Sequence, residues 1–522
     1  MRLGEALIDL LVREYGLRTV FGIPGVHNIE LYRGLHRSGV RAVSPRHEQG
    51  AGFMADGWSV VTGTPGVCTL ISGPGLTNAL TPIAQAFHDS RPMLVLAATT
   101  PTDALGRRFG PLHDLDDQAA VARTVTAFSE TVLHPDEVPE LIATAYDVFR
   151  SRRPRPVHLA FPTDVLALEC GPLEVFPSTA TRPAPMPSTI AAAADVLQGS
   201  TAPVIIAGGG AVDAGDELRR VAETLDAPVV LTGNSKGVVP SSHPLCAGNS
   251  LVVPVVQAVL ETADSVLVVG SELSDADLYN GGRALEFSGT VVRIDLDADQ
   301  IDRRVHPDVR IVADAAHALR ALQARLRSQH ADGSARAASL RAAADAATSP
   351  TFAPWVDALQ AALPVDAVVA LDSTQLAYAA HGRLRAERPR SWLAPYGLGT
   401  LGCALPMAIG AKLAAPERPV LALAGDGGWL FTVAEMATAT DEQLDLVLVV
   451  WDNRGYAQIR QSFDDADAPR MGVDVSSADP DTIARGFGWS TRVATTPDEL
   501  TACVVDAFAD GGPQFVRVVV PG

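Results

Sequence analysis

A chain of 522 residues with 47% hydrophobic and 19% charged side chains has the apolar content of a large globular enzyme, enough for about three domains at ~150 residues each. Its formal net charge of −19 argues against a nucleic-acid partner, because phosphate binding needs a basic face. Five cysteines with neither an even count nor metal-ligand spacing give no disulfide framework and fit a reduced, cytoplasmic setting.

The N-terminal stretch MRLGEALIDLLVREYGL places apolar residues at helical spacing and interrupts them with charges. It lacks the apolar core and small-residue cleavage site of a secretory leader. No run of about 18 uncharged apolar residues follows, so no membrane partner is expected. Short β-branched runs then alternate with Ala-rich helical stretches. GVCTLIS, MLVLAAT and PVHLAF read as strands in the first third, and APVIIAGGG, APVVLTG, DSVLVVGSEL and TVVRIDLD in the middle. DAVVALDS, RPVLALAGDG, LDLVLVVWDN and QFVRVVVPG do so in the last third. This alternation predicts an α/β fold of three doubly wound parallel-sheet domains. The Pro-rich stretch from Phe176 to Thr189 and a looser, partly helical one from Arg327 to Phe352 divide the chain near 1–175, 186–330 and 350–522.

Two stretches carry chemistry. One strand ends at Gly425, Asp426 and Gly427, and the next ends at Asp452 and Asn453. Strand–helix–strand units bring the ends of neighbouring parallel strands together, so Asp426 and Asn453 are expected to face one small volume. A carboxylate and an amide oxygen beside glycines suit Mg²⁺ carrying a phosphate, with backbone N–H groups on the phosphate oxygens. The second stretch is RHEQGAGFMADGWSVVTGTPGVCTLISGPGLTN, Arg46 to Asn78. Glu48 stands there at the start of a small-residue helix, where an acid is also favoured simply by the helix dipole.

Together with FGIPGVHN (Phe21 to Asn28), GLGTLGCALPMAIGAKLA and WDNRGYAQIR, these stretches resemble the thiamine-diphosphate-dependent enzymes of the acetolactate synthase, benzoylformate decarboxylase and pyruvate decarboxylase family. The resemblance runs along almost the whole chain and implies a pyrimidine-binding domain, a central Rossmann-like domain and a diphosphate-binding domain in that order. It implies that Glu48 hydrogen-bonds the aminopyrimidine ring and so helps remove the thiazolium proton. It places Asp426, Asn453 and the Gly455 carbonyl as ligands of Mg²⁺. It assigns Gly425, Gly427, Gly428, Thr374, Gln375, Tyr456 and Ala457 to the diphosphate end of the cofactor. Gly399 and Leu401 fall to its pyrimidine end, Leu401 as the apolar wedge that bends it. Active sites are then shared between subunits, making a homodimer or homotetramer. The substrate is a small-molecule 2-oxo acid, which loses CO₂ to give an aldehyde or, in an acetolactate-synthase-like carboligase, joins a second carbonyl compound. A non-catalytic regulatory paralogue is disfavoured by the intact Glu48, Asp426 and Asn453.

Departures from the family narrow the branch. Val26 and Ile71 stand where benzoylformate decarboxylases carry a serine and a histidine. The loop SELSDADLYNGG lacks the arginine of the FAD-binding branch, so FAD is not expected, and the glycines of AGGGAVDAG are weak evidence for a dinucleotide. His113 falls where relatives place residues near the reacting carbon, and can serve as a catalytic proton donor or relay. Gln118 and His47 are weaker candidates. LHDLDDQ, GSELSDAD and LDSTQLAY look most like a subgroup named for 5-guanidino-2-oxopentanoate (2-ketoarginine) decarboxylase. A cationic substrate end is expected to meet either Glu272, Asp275 and Asp277 or Asp114, Asp116 and Asp117.

Overall fold

The computed structural model describes residues 1–475 and 479–520, and its eighteen strands form three sheets of six. The first holds β1 (Thr19–Gly22), β2 (Arg41–Val43), β3 (Gly66–Leu70), β4 (Met93–Thr99), β5 (Phe128–Thr131) and β6 (Val157–Pro162). The second holds β7 (Pro203–Ala207), β8 (Val229–Leu231), β9 (Cys246–Gly248), β10 (Ser265–Val269), β11 (Thr290–Asp295) and β12 (Val309–Val312). The third holds β13 (Val368–Leu371), β14 (Trp392–Leu393), β15 (Val420–Gly425), β16 (Leu446–Asp452), β17 (Ser490–Ala494) and β18 (Pro513–Val519). All pairings within the sheets are parallel. The expected α/β class is what the chain forms. MLVLAAT and LVLVVWD show why: helices cover both faces of a parallel sheet, so a central strand buries every residue, as β4 and β16 do.

The first and third sheets repeat one topology, β2-β1-β3-β4-β6-β5 and β14-β13-β15-β16-β18-β17. In each, the chain leaves two adjacent strands in opposite directions, β1 beside β3 and β13 beside β15. A crevice opens beyond the carboxyl ends of strands at such a switch point, and ligands bind there in open α/β sheets. The middle sheet runs β12-β11-β10-β7-β8-β9, with its switch point between β7 and β10.

The outer units share one apolar core containing Phe53, Met54, Met407 and Ile409. Its centre is the crossing of helix Glu48–Thr62 with helix Ala404–Ala414, whose residues from Ala404 to Leu413 are all buried. A Cβ on Gly57 would lie 2.1 Å from the Met407 carbonyl oxygen, and one on Gly410 would lie 1.9 Å from that of Met54. The small-residue pattern in both helices is therefore a requirement of backbone-to-backbone approach.

Arg91 ties the three units together. It is 5% exposed and donates to Asp56 at 2.8 Å, to the Ala394 carbonyl at 3.1 Å and to Asn234 at 3.2 Å. The helix Gly333–Ala347, which the sequence presents as a loose connector, packs Ala337, Leu340 and Ala344 into the central core. Contacts with the middle sheet therefore continue past residue 330. Among the described residues no helix is long and apolar enough to cross a membrane.

Candidate active site

At the switch point of the first sheet, the loop after β1 meets the loop after β3. Asn28 locks the Pro24–Gly25 turn by accepting from the Gly25 N–H at 2.8 Å and donating to the Ile23 carbonyl at 3.1 Å. The neighbouring His27 bonds through Nδ1 to the Ser72 hydroxyl. Ile71 fills the space beneath Gly25, where a Cβ would come within 2.4 Å of its side chain. His113 lies edge-on to His27, with ring centroids 5.3 Å apart. Its backbone takes the left-handed conformation at φ 64, and its Nδ1 is buried without a partner. Burial, then the proximity of His113, pushes the His27 pKa down. Gln118 is 4% exposed. It accepts from the Gly73 N–H at 3.0 Å and donates to the Ala98 carbonyl at 2.8 Å, fastening the loop that carries His113 to the end of β4.

Glu48 begins helix Glu48–Thr62, and its carboxylate accepts from the Asn78 amide at 2.9 Å. His47 caps that helix, its Nδ1 accepting from the Gln49 N–H at 3.1 Å, so its side chain is committed locally. The buried Glu435 carboxylate accepts from the N–H groups of Arg46 and His47 and fixes the turn that presents Glu48.

The second cluster stands at the switch point of the third sheet. Gly425 pairs with Trp451 across β15 and β16, which sets Asp426 and Asn453 side by side past the strand ends. Asp426 is 3% and Asn453 6% exposed. One Asp426 oxygen accepts from the Gly455 N–H at 2.7 Å. Burial, with Asp452 adding to it, raises the Asp426 pKa to about 6. The Asn453 amide nitrogen donates to Gln375 at 3.3 Å, while its oxygen is buried without a partner. Thr374 precedes helix Gln375–Arg383, and its hydroxyl would stand 2.9 Å from a Cβ on Gly425. A Cβ on Gly427 would come within 2.4 Å of the Tyr456 ring, and one on Gly428 within 3.0 Å of Asp372. Tyr456 leads into helix Ala457–Asp465. Gly399, at φ 66, accepts from the Ser373 hydroxyl at 3.3 Å. Leu401 is half-buried beside it. Asp372 accepts from the N–H groups of Ser373 and Gly402, each at 2.8 Å, and burial raises its pKa to about 7.

A cleft of about 620 Å³ opens beside this second cluster, lined by Ser373, Gln375 and Gly399 together with central-unit residues including Asp275 and Tyr279. Neither Glu48 nor His113 lines it. Within one chain, then, the predicted residues gather in two groups, one at each outer switch point. The acidic residues separate as well. Glu272 pairs with Arg153, Asp277 caps Ser274 at 3.1 Å, Asp116 pairs with Arg108 and Asp117 caps Ala120 at 2.8 Å.

Three descriptions of one family match in order along the chain. They are the thiamine pyrophosphate enzyme N-terminal TPP-binding domain over residues 1–121, the central domain over 190–322 and the C-terminal TPP-binding domain over 372–518. A probable 2-ketoarginine decarboxylase of Pseudomonas aeruginosa is 44% identical, over 99% of this chain and 93% of its own. The chain belongs to the thiamine pyrophosphate enzyme family. Within that family it is also 30% identical to the acetolactate synthase isozyme 1 large subunit of Escherichia coli K12, over 99% of this chain and 93% of the relative. A probable acetolactate synthase large subunit of Methanocaldococcus jannaschii is 29% identical, over 100% and 92%. Thiamine diphosphate is accordingly the cofactor the two terminal domains bind.

The third-sheet cluster fits that cofactor and a divalent cation on its own chemistry. A buried carboxylate and an unpartnered buried amide oxygen leave room for a hard cation. The glycines beside them let Thr374, Tyr456 and Asp372 close on the backbone where a Cβ would collide, and a glycine-flanked strand end leading into a helix suits backbone binding of a phosphate. Sequence reasoning passed over His27, Ser72, Asn78 and Asp372. His27 and Ser72 lay inside motifs already singled out, and their position just after strand ends was the available signal.

Proposed function

We propose that this enzyme is a thiamine-diphosphate-dependent decarboxylase that converts a 2-oxo acid with a cationic side chain, 2-ketoarginine foremost, to the aldehyde and CO₂. The observation that carries the reading is the 44% identity, over nearly the full length of both chains, to the probable 2-ketoarginine decarboxylase. Residues 1–175, 186–330 and 350–522 serve as pyrimidine-binding, central and diphosphate-binding domains. When bound, thiamine diphosphate supplies the carbon nucleophile and the electron sink for loss of CO₂. Asp426, the Asn453 amide oxygen and the Gly455 carbonyl would hold Mg²⁺. Gly425, Gly427, Gly428, Thr374, Gln375, Tyr456 and Ala457 would hold the diphosphate, with Gly399 and Leu401 toward the pyrimidine.

Glu48 holds a proton at the pyrimidine edge, and its bond to Asn78 fixes the carboxylate for that task. His113, with its unpartnered Nδ1, donates or accepts a proton at the reacting end of the substrate. Because Glu48 and Asp426 belong to separate groups within one chain, we assign each active site to the first domain of one subunit and the third of another, in a dimer or tetramer. We also assign no FAD to the central crevice. Its arginines come from other segments than the loop after β10, and each is already matched with an acid: Arg91 with Asp56, Arg153 with Glu272, Arg182 with Asp314 and Arg390 with Asp213. The test is a panel of 2-oxo acids offered with thiamine diphosphate and Mg²⁺, with products identified by mass. Aldehyde from 2-ketoarginine supports the reading, whereas a 2-hydroxy ketone from pyruvate moves the function to the carboligase of the acetolactate synthase relatives.

A further inference from the structure

The cleft beside the third-sheet cluster separates two kinds of wall. Ser373, Gln375 and Gly399 stand on the side of the candidate cofactor residues, and the turn Asp275–Tyr279 after β10 stands on the side of the central unit. Among its described lining residues there is no lysine or arginine, and the carboxylates are Asp275 and Asp372. Asp372 is occupied by the two backbone N–H groups it accepts. His381 also lines the cleft. Its Nδ1 lies 3.0 Å from the Tyr396 hydroxyl, and burial, with Lys236 nearby, pushes its pKa down to about 3, so it brings no positive charge.

Asp275 is different from every other acid in the two loops singled out by the sequence for a cationic substrate, apart from Asp114. It is exposed, and no cation pairs with it among the described residues. One of its oxygens accepts from the Gly282 N–H at 2.7 Å, which orients the carboxylate and leaves the other oxygen for a ligand. Asp114 does not line this cleft.

Four residues on, Tyr279 is 67% exposed and sits at φ 48. That conformation ends the short helix Asp275–Leu278, with the Tyr279 N–H donating to the Asp275 carbonyl, so one turn holds the tyrosine and the aspartate together. Its ring lies 6.3 Å from that of Tyr378, tilted by 32°. Tyr378 stands on helix Gln375–Arg383, one turn beyond Gln375, so the aromatic pair spans from the central unit to the candidate cofactor residues.

We propose that Asp275, Tyr279 and Tyr378 form the subsite that reads the cationic end of the substrate, with the Asp275 carboxylate on a guanidinium and the tyrosine rings against its faces. A guanidinium presents parallel N–H donors to a carboxylate and is attracted to aromatic faces. An aliphatic side chain of the same length leaves the carboxylate solvated and gains only the ring contact. The subsite rests on the decarboxylase reading given above, and it gives a role to an acidic loop that shares a cleft with the candidate cofactor residues.

The experiment measures kcat/KM for 2-ketoarginine and for 2-oxooctanoate, an uncharged acid with an aliphatic chain of the same length, in the wild-type holoenzyme and in the Asp275→Asn and Tyr279→Leu variants. Thiamine diphosphate affinity in each variant reports that the fold is kept. The wild type is expected to favour the cationic acid by about tenfold or more, and Asp275→Asn to reduce that ratio by about tenfold, mainly through KM for the cationic acid. Tyr279→Leu reduces the ratio by a smaller factor. A wild type without the preference overturns the cationic-substrate reading and the subsite with it. A wild-type preference that survives unchanged in both variants overturns the subsite alone and leaves the decarboxylase reading standing.

Discussion

Replacing Arg91 by methionine tests how the three units are held in register. The guanidinium donates to Asp56, Asn234 and the Ala394 carbonyl, and lies 3.5 Å from Asp89. Asp56 is fully buried, and its second oxygen already has no partner. Removing the arginine therefore strands a buried carboxylate, which costs about 3–5 kcal/mol. The cost depends on pH with a definite sign. Burial raises the Asp56 pKa from 3.8 to about 6 even against the lowering effect of Arg91, and without Arg91 it rises further. A raised pKa contributes stability that is complete below the unfolded value and is lost as pH climbs through the folded one. The variant's deficit should therefore be small near pH 5, begin to grow as pH passes the wild-type value of about 6, at about 1.4 kcal/mol per pH unit, and approach its full size near pH 9. Chemical denaturation of wild type and variant at both pH values measures it, and Arg91→Met combined with Asp56→Asn should recover most of the loss. Because Ala394 lines the cleft, the single variant should also bind thiamine diphosphate more weakly at neutral pH. A deficit below about 1 kcal/mol, or one equal at both pH values, would refute the reasoning.

Glu48→Gln should keep the fold and lose most turnover at saturating cofactor, because an amide cannot hold the proton; near-wild-type turnover would remove Glu48 from the mechanism. Asp426→Ala should weaken Mg²⁺ and thiamine diphosphate together in calorimetric titrations, whereas loss of one without the other would separate the two sites. Purified enzyme should show no flavin absorbance and no response to added FAD, and a stoichiometric yellow protein would show that the paired arginines of the central crevice still admit it.

The long central strands were legible because a parallel strand covered on both faces is apolar over nearly its whole length, as β4 is up to Thr99 and β16 up to Asp452. Short edge strands gave no such run. β14 has two residues, and β17 exposes or half-exposes most of its side chains. The helix Gly333–Ala347 resembled a linker because alanine fills its buried positions Ala337 and Ala344, leaving Leu340 as the one large apolar anchor among them. At the candidate site, Asp426, Asn453 and Glu48 were readable as single polar residues at strand and helix ends. Which acids were free was not, since partners such as Arg153 for Glu272 and Arg108 for Asp116 are set by folding and not by spacing. The pairing of His27 with Ser72 and its approach to His113 join three separate loops, a juxtaposition that no local pattern encodes.

The most direct test of the account is the stoichiometry of the reaction on 2-ketoarginine with thiamine diphosphate and Mg²⁺ present. Simple decarboxylation gives one CO₂ and one aldehyde, 4-guanidinobutanal, for each 2-oxo acid consumed, with no turnover when the cofactor is left out. Two molecules of 2-oxo acid consumed per CO₂, with a carbon–carbon coupled product, would contradict it.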